Sequence, residues 1–160
     1  MKLLAIDTTE DACSAALLID SEVAERFEIV PRRHSEILLP MMDGLLSDAG
    51  LRLRDLDALA FARGPGSFTG VRIAVSVAQG AAFGAQLPVV PVSSLQALAQ
   101  GVRREQAAGA VLSALDARMR EVYWGGYRAD AMGIMRTVIA DCVSAPQQVP
   151  PPGDGDWVGA

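Results

Sequence analysis

Apolar residues crowd positions 2–6 and stop at Asp7, the pattern of a strand buried on both faces. A polar turn, Thr8-Thr9-Glu10-Asp11, leads into a second apolar run over 13–19. Asp20 and Ser21 turn the chain, and residues 23–30 alternate as a third strand before Pro31 breaks the pattern. Three strands with tight links predict an antiparallel meander. From 34 to 48 the period becomes helical: Ile37, Leu38, Met41, Met42, Leu45 and Leu46 fall on one wide stripe, with Ser35 as the expected N-cap and Gly50 as the stop. A short helical turn is expected at 53–56 and a strand at 56–62. A glycine loop at 64–69 then opens a helix running from about 69 to 83, which Gly84 ends. A strand at 89–92 and a helix at 94–102, capped by Ser93 or Ser94, follow.

After Arg104 the pattern begins again. An apolar strand at 110–115 ends at Asp116 as the first ended at Asp7, and residues 121–127 and 134–140 read as two more strands. The expected organisation is a first lobe over 1–104 and a partial second lobe over 105–160. A duplicated β-β-β-α-β-α unit of this α/β class is the architecture of actin, sugar kinases and Hsp70, with the helices of the second copy missing here. A Pro-rich loop at 146–152 leads into Asp156-Trp157-Val158-Gly159-Ala160, which reads as the start of a strand whose backbone groups need partners. The expectation is a chain truncated inside its second lobe.

Composition narrows the function. Of the 160 residues 51% are hydrophobic, enough for a core, and the net charge is −5. That acidity excludes a domain that grips nucleic acid by itself, because the pairs Arg32–Arg33 and Arg103–Arg104 are too short to form a basic stripe. Cys13 and Cys142, far apart and in no metal or redox spacing, read as reduced, buried small hydrophobes. The N-terminus enters a strand at once, without the length of a signal peptide, and no apolar run is long enough to span a membrane. The expected compartment is cytoplasmic.

The run Gly64-Pro65-Gly66-Ser67-Phe68-Thr69-Gly70-Val71-Arg72 carries most information. Glycines between a strand and a helix N-terminus let backbone N–H groups face an anion. The same residues also suit a plain strand-to-helix turn capped by Ser67 or Thr69. No Lys follows in Walker register, and the acidic partner of a dinucleotide fingerprint is missing. The helix it opens is apolar nearly all round, and Gly70, Ala74, Ala78 and Ala82 fall four apart. Such a row permits close helix contact, either with the chain's own first helix or with a partner. Met41 and Met42 add an adaptable surface on that first helix.

That run, together with Leu4-Ala5-Ile6-Asp7-Thr8, His34-Ser35-Glu36 with Leu39-Pro40, and Leu115-Asp116-Ala117-Arg118 with Glu121-Val122-Tyr123, resembles the TsaB (YeaZ) family. The similarity covers the whole chain, in order and spacing, and family members are longer. The resemblance implies a non-catalytic subunit in the synthesis of threonylcarbamoyladenosine on the tRNA adenosine beside the anticodon. The related subunit TsaD holds the active site, and an ATPase subunit, TsaE, is also required. The TsaB-type subunit forms a heterodimer with TsaD through two helices and can self-associate through the same pair. Here those helices match 34–48 and 69–83, with His34, Leu38, Met41, Met42, Leu45, Gly70, Val71, Ala74 and Ala78 as expected interface residues. Contact with tRNA is expected only through the complex, with no cofactor and no membrane involved.

An actin-like ATPase or small-molecule kinase is the competing reading, and a glycoprotease-like peptidase a third. ATPases of that class need glycine-bearing phosphate hairpins after the first strand of each lobe. Asp7-Thr8-Thr9-Glu10-Asp11 and Asp116-Ala117-Arg118-Met119 contain none, and their carboxylates repel phosphate. The expected nucleotide cleft, formed by Asp7, Gly64, Gly66, Ser67, Thr69, Asp116 and Arg118, is therefore degenerate. His34 is the one histidine and position 38 is Leu, so a helix-borne pair of His metal ligands is not available. Ser67 as a nucleophile has one imidazole in the chain to serve as base. Asp116, Arg118 and Glu121 are expected to form a salt-bridged turn.

Overall fold

Leu4 and Ile6, on alternate positions of β1 (Lys2–Asp7), point to the same face of a sheet as Ala15 and Leu17 of β2 (Ala12–Ile19) and Leu59 of β4 (Ala58–Ala62). The register makes this so: Leu4 lies opposite Leu17 on one side and beside Leu59 on the other. β2 pairs antiparallel with β3 (Glu22–Ile29), which completes the meander, while β4 runs parallel to β1, as its helical crossover requires. With β5 (Val89–Val92) the five-stranded order is β3-β2-β1-β4-β5. The crossovers are α1 (His34–Asp48), followed by a 3-10 turn at Leu53–Asp55, and α2 (Phe68–Ala85); both cover the Leu4–Leu17–Leu59 face. Cys13 is wholly buried there, and burial pushes its thiol up to about 11.

The computed structural model describes residues 1–160 apart from 152 and 154, and these form two compact units, Met1–Val92 and Ser93–Ala160. The division falls before α3 (Ser94–Gln106), which the sequence had grouped with the first lobe up to 104. Leu95 and Ala99 of α3 pack with Val111 of β6 (Ala110–Arg118), Tyr127 of β7 (Glu121–Ala129) and Met135 of β8 (Met135–Ser144), a core of their own. The second sheet has the order β8-β7-β6-β9, with β9 (Trp157–Gly159) parallel to β6 as β4 is to β1. The expected duplication of β-β-β is thus present in pairing as well as order, and the strand anticipated at the C-terminal residues pairs on β6. A 3-10 turn, Pro146–Gln148, opens the Pro-rich segment, whose Pro152 lies outside the described residues.

Some local expectations change. Arg33, not Ser35, holds the N-cap position of α1, without a side-chain cap, and pairs with Glu36 at 2.9 Å. α2 runs past Gly84 and closes at Gln86, whose φ of 55° sits in the left-handed region. Cys142 is exposed on β8 rather than buried; both cysteines are free thiols.

Candidate functional site

The glycine loop is closed against the turn that follows β1. Ser67 N donates to the Thr9 carbonyl at 2.7 Å, Gly70 N donates to Ser67 Oγ at 3.0 Å, and Thr8 Oγ1 donates to the Gly70 carbonyl at 2.7 Å. Thr9 N and Thr9 Oγ1 both donate to Asp7 Oδ1 at 2.7 Å. These contacts explain two glycines. A side chain at Gly66 would place Cβ 2.4 Å from the Thr9 oxygen, and one at Gly70 would place it 1.9 Å from the Thr8 oxygen. Gly64 is buried at the end of β4 beside Val71, and Thr69 is exposed. Two of the backbone donors that an anion-binding loop would aim at a phosphate, Ser67 N and Gly70 N, are bonded within the protein here. The strand-to-helix turn with Ser67 as N-cap is the arrangement present.

The second unit carries the other two expected cleft residues. Asp116 Oδ1 accepts from Arg118 N at 2.8 Å, and its second oxygen lies 3.6 Å from the Arg118 guanidinium. Both are exposed, so the pair contributes little. Glu121 faces Arg118 across the hairpin, and no ion pair engages it among the described residues. Arg118, Met119 and Arg120 all take positive φ, so the tip is a tight left-handed turn without glycine.

Most of the expected interface residues are packed into the chain's own core, and Met42 also reaches the floor of an open groove. Leu38, Met41, Met42 and Leu45 of α1 are each at most 5% exposed, in contact with the sheet, and His34 is buried at the helix start. On α2, Gly70, Ala74 and Ala78 point inward and Val71 is half-buried over Gly64. Turning such α1 side chains outward would lose about 1.5–3 kcal/mol apiece. Of the two uses the sequence left open for the small-residue row, packing within the chain is the one these side chains make. A second row four apart was overlooked: Ser76, Gly80 and Gly84, all exposed. Nothing lies within 4 Å of a Cβ built at Gly80 or Gly84. Between this row and Leu39 of α1 runs an open groove of about 930 Å³, floored by Met42, Leu46, Val77 and Ala81. Phe83, 90% exposed, stands at the end of the row beside a second hollow with Leu87 and Val89. A glycine in mid-helix, costly for helix stability unless close approach requires it, was the available signal.

Ser67 Oγ serves as cap to Gly70, and His34 Nε2 has no hydrogen-bond partner among the described residues, so the pair needed for a serine nucleophile is not formed. Sequence reading also missed a polar cluster in the second unit. Tyr127 OH donates to Asp141 Oδ1, and Ser93 Oγ, the N-cap of α3, donates to Asp141 Oδ2 at 2.7 Å.

Known proteins match this frame. A family model described as TsaD, tRNA N6-adenosine threonylcarbamoyltransferase, matches residues 22–154. YeaZ from Pseudomonas aeruginosa superposes with a TM-score of 0.94 at 50% identity, over 99% of this chain and 74% of that one. The chain belongs to the TsaB (YeaZ) family. The tRNA threonylcarbamoyladenosine biosynthesis protein TsaB of Escherichia coli is 49% identical over 93% of this chain and 64% of its own length. That of Haemophilus influenzae is 46% identical over 92% and 66% respectively. The chain thus spans about two-thirds of the length of these curated TsaB relatives. No helix among the described residues is long and apolar enough to cross a membrane.

Proposed function

We propose that the protein is a supporting subunit in the formation of threonylcarbamoyladenosine on tRNA, docking on TsaD through the outer face of α1 and α2. The relatives named TsaB support the pathway. The observation that carries the docking is the groove bordered by Ser76 and Gly80, which lets a foreign helix approach α2 closely while Leu39, Val77 and Ala81 supply apolar contact. The proposed docking row lies two residues on from the inward row, nearly half a helical turn around α2. The same face would pair two copies when TsaD is absent. TsaE joins the assembly as a further partner, tRNA reaches it only through the complex, and the setting is the cytoplasm.

The transfer itself is assigned to TsaD. Internal engagement of Ser67 N, Gly70 N and Asp7 supports a cleft without nucleotide chemistry of its own, and no observation favours the kinase or peptidase alternatives. Gly80→Trp tests the interface: open space around that Cβ leaves the fold intact, while the indole blocks helix approach. The variant is expected to keep its thermal midpoint and lose co-purification with TsaD. A folded Gly80→Trp chain that still co-purifies would overturn the docking face.

A further inference from the structure

Two strands end the first sheet, and one of them is short and guarded: β5 has four residues and contains Pro91. β3 is different. It runs eight residues with unbroken register against β2, contains neither Gly nor Pro, and has no strand on its outer edge among the described residues. Three of its exposed side chains are large and apolar, Val23 at 65%, Phe27 at 57% and Ile29 at 70%, and three are glutamates, Glu22, Glu25 and Glu28. A long, flat edge of this kind invites a further strand.

The charges say which strand fits. Val23, Phe27 and Ile29 alternate onto the face away from α1, together with Glu25. The opposite face carries Glu22, Ala24, Arg26 and Glu28, since Ala24 and Arg26 lie opposite the core residues Leu17 and Ala15. Arg26 is drawn back over α1, 2.7 Å from Asp48, so its charge is matched. No ion pair engages Glu22, Glu25 or Glu28 among the described residues. A small hollow between β3 and the end of α1, lined by Ile19, Ala24 and Leu45, has Glu22 and Asp48 at its rim. The charges that guard this edge are acidic apart from the matched Arg26, so they repel an acidic or apolar strand and admit a basic one.

We propose that β3 is a strand-addition site for an extended segment of a partner protein that alternates basic and apolar residues. Main-chain hydrogen bonds to the outer edge supply most of the affinity. Basic side chains meet Glu22 and Glu28 on the α1 side, and apolar ones cover Val23, Phe27 and Ile29 on the other. This surface lies on the strand edge, apart from the α1–α2 groove, and does not depend on TsaD.

An eight-residue peptide alternating Lys or Arg with Val or Ile, fluorescently labelled, is titrated into the full chain. Saturable binding is expected, with protection of the β3 amides in hydrogen exchange. Replacing Lys and Arg by Glu in the peptide, or combining Glu22→Lys, Glu25→Lys and Glu28→Lys in the protein, should weaken binding by about tenfold or more at low salt. A peptide N-methylated at alternate amides should not bind. Equal binding by the N-methylated or the acidic peptide, or by the triple variant with an unchanged circular dichroism spectrum, would overturn the proposal. So would sedimentation showing that the chain pairs with itself through this edge and that Phe27→Lys dissolves the pair.

Discussion

Two glycines of the same helix answer to opposite demands. At Gly70 the carbonyl of Thr8 occupies the place of a Cβ, and that carbonyl belongs to the turn that sets the end of β1. Backbone there cannot yield without breaking the Thr8–Gly70 and Ser67–Thr9 bonds. Gly70→Ala is therefore expected to destabilise the first unit by about 1–3 kcal/mol or more. At Gly80 there is open space and a helical backbone, so Gly80→Ala should stabilise the isolated chain by about 0.5–1 kcal/mol. Urea denaturation of both variants checks the pair, and a Gly70→Ala midpoint equal to that of the parent would refute the close approach. The sequence marked the whole glycine run as special. It left open whether the backbone approached an anion or another part of the chain, because glycine permits both.

Elements were more legible than their faces. Strand and helix order follow from period and punctuation, and each expected element is present with boundaries shifted by a few residues. Which side of α2 faced inward was not legible, because small residues recur four apart on two faces of one helix, at Gly70, Ala74 and Ala78 and again at Ser76, Gly80 and Gly84. Period alone cannot rank two rows of similar size. The attachment of α3 was also hidden, since it depends on Ser93, Tyr127 and Asp141, which the fold gathers from three elements. Tyr127 is wholly buried and bonded to a carboxylate. Removing its hydroxyl by Tyr127→Phe should destabilise the second unit by about 1.5–3 kcal/mol, the range for a hydrogen bond to a charged group. Hydrogen exchange should then quicken at the first-turn amides of α3, beginning with Gln96, whose N–H bonds the Ser93 cap. Unchanged exchange there would mean that the cluster does not hold the helix end.

At the scale of the whole molecule the sequence spoke most clearly about charge. Nineteen acidic residues face fourteen Lys and Arg, and the structure reduces the usable cations further. Arg26, Arg33, Arg52, Arg118 and Arg136 each sit 2.7–3.6 Å from a carboxylate of their own chain. Nucleic-acid affinity grows with the number of phosphates that cations neutralise, and it falls with salt in proportion to that number. These pairs are exposed and weak, so their main effect is that each arginine's charge is already offset by a neighbouring carboxylate. The remaining basic side chains must also act within the repulsive field of a net charge of −5. The chain alone should therefore show no saturable binding to tRNA at about 0.15 M salt, and the addition of TsaD should create it. Fluorescence anisotropy with labelled tRNA, with and without TsaD, separates the two cases. Submicromolar binding by the chain alone, with a steep salt dependence, would mean that a cationic surface forms despite the overall acidity, and direct tRNA contact would then belong to this subunit.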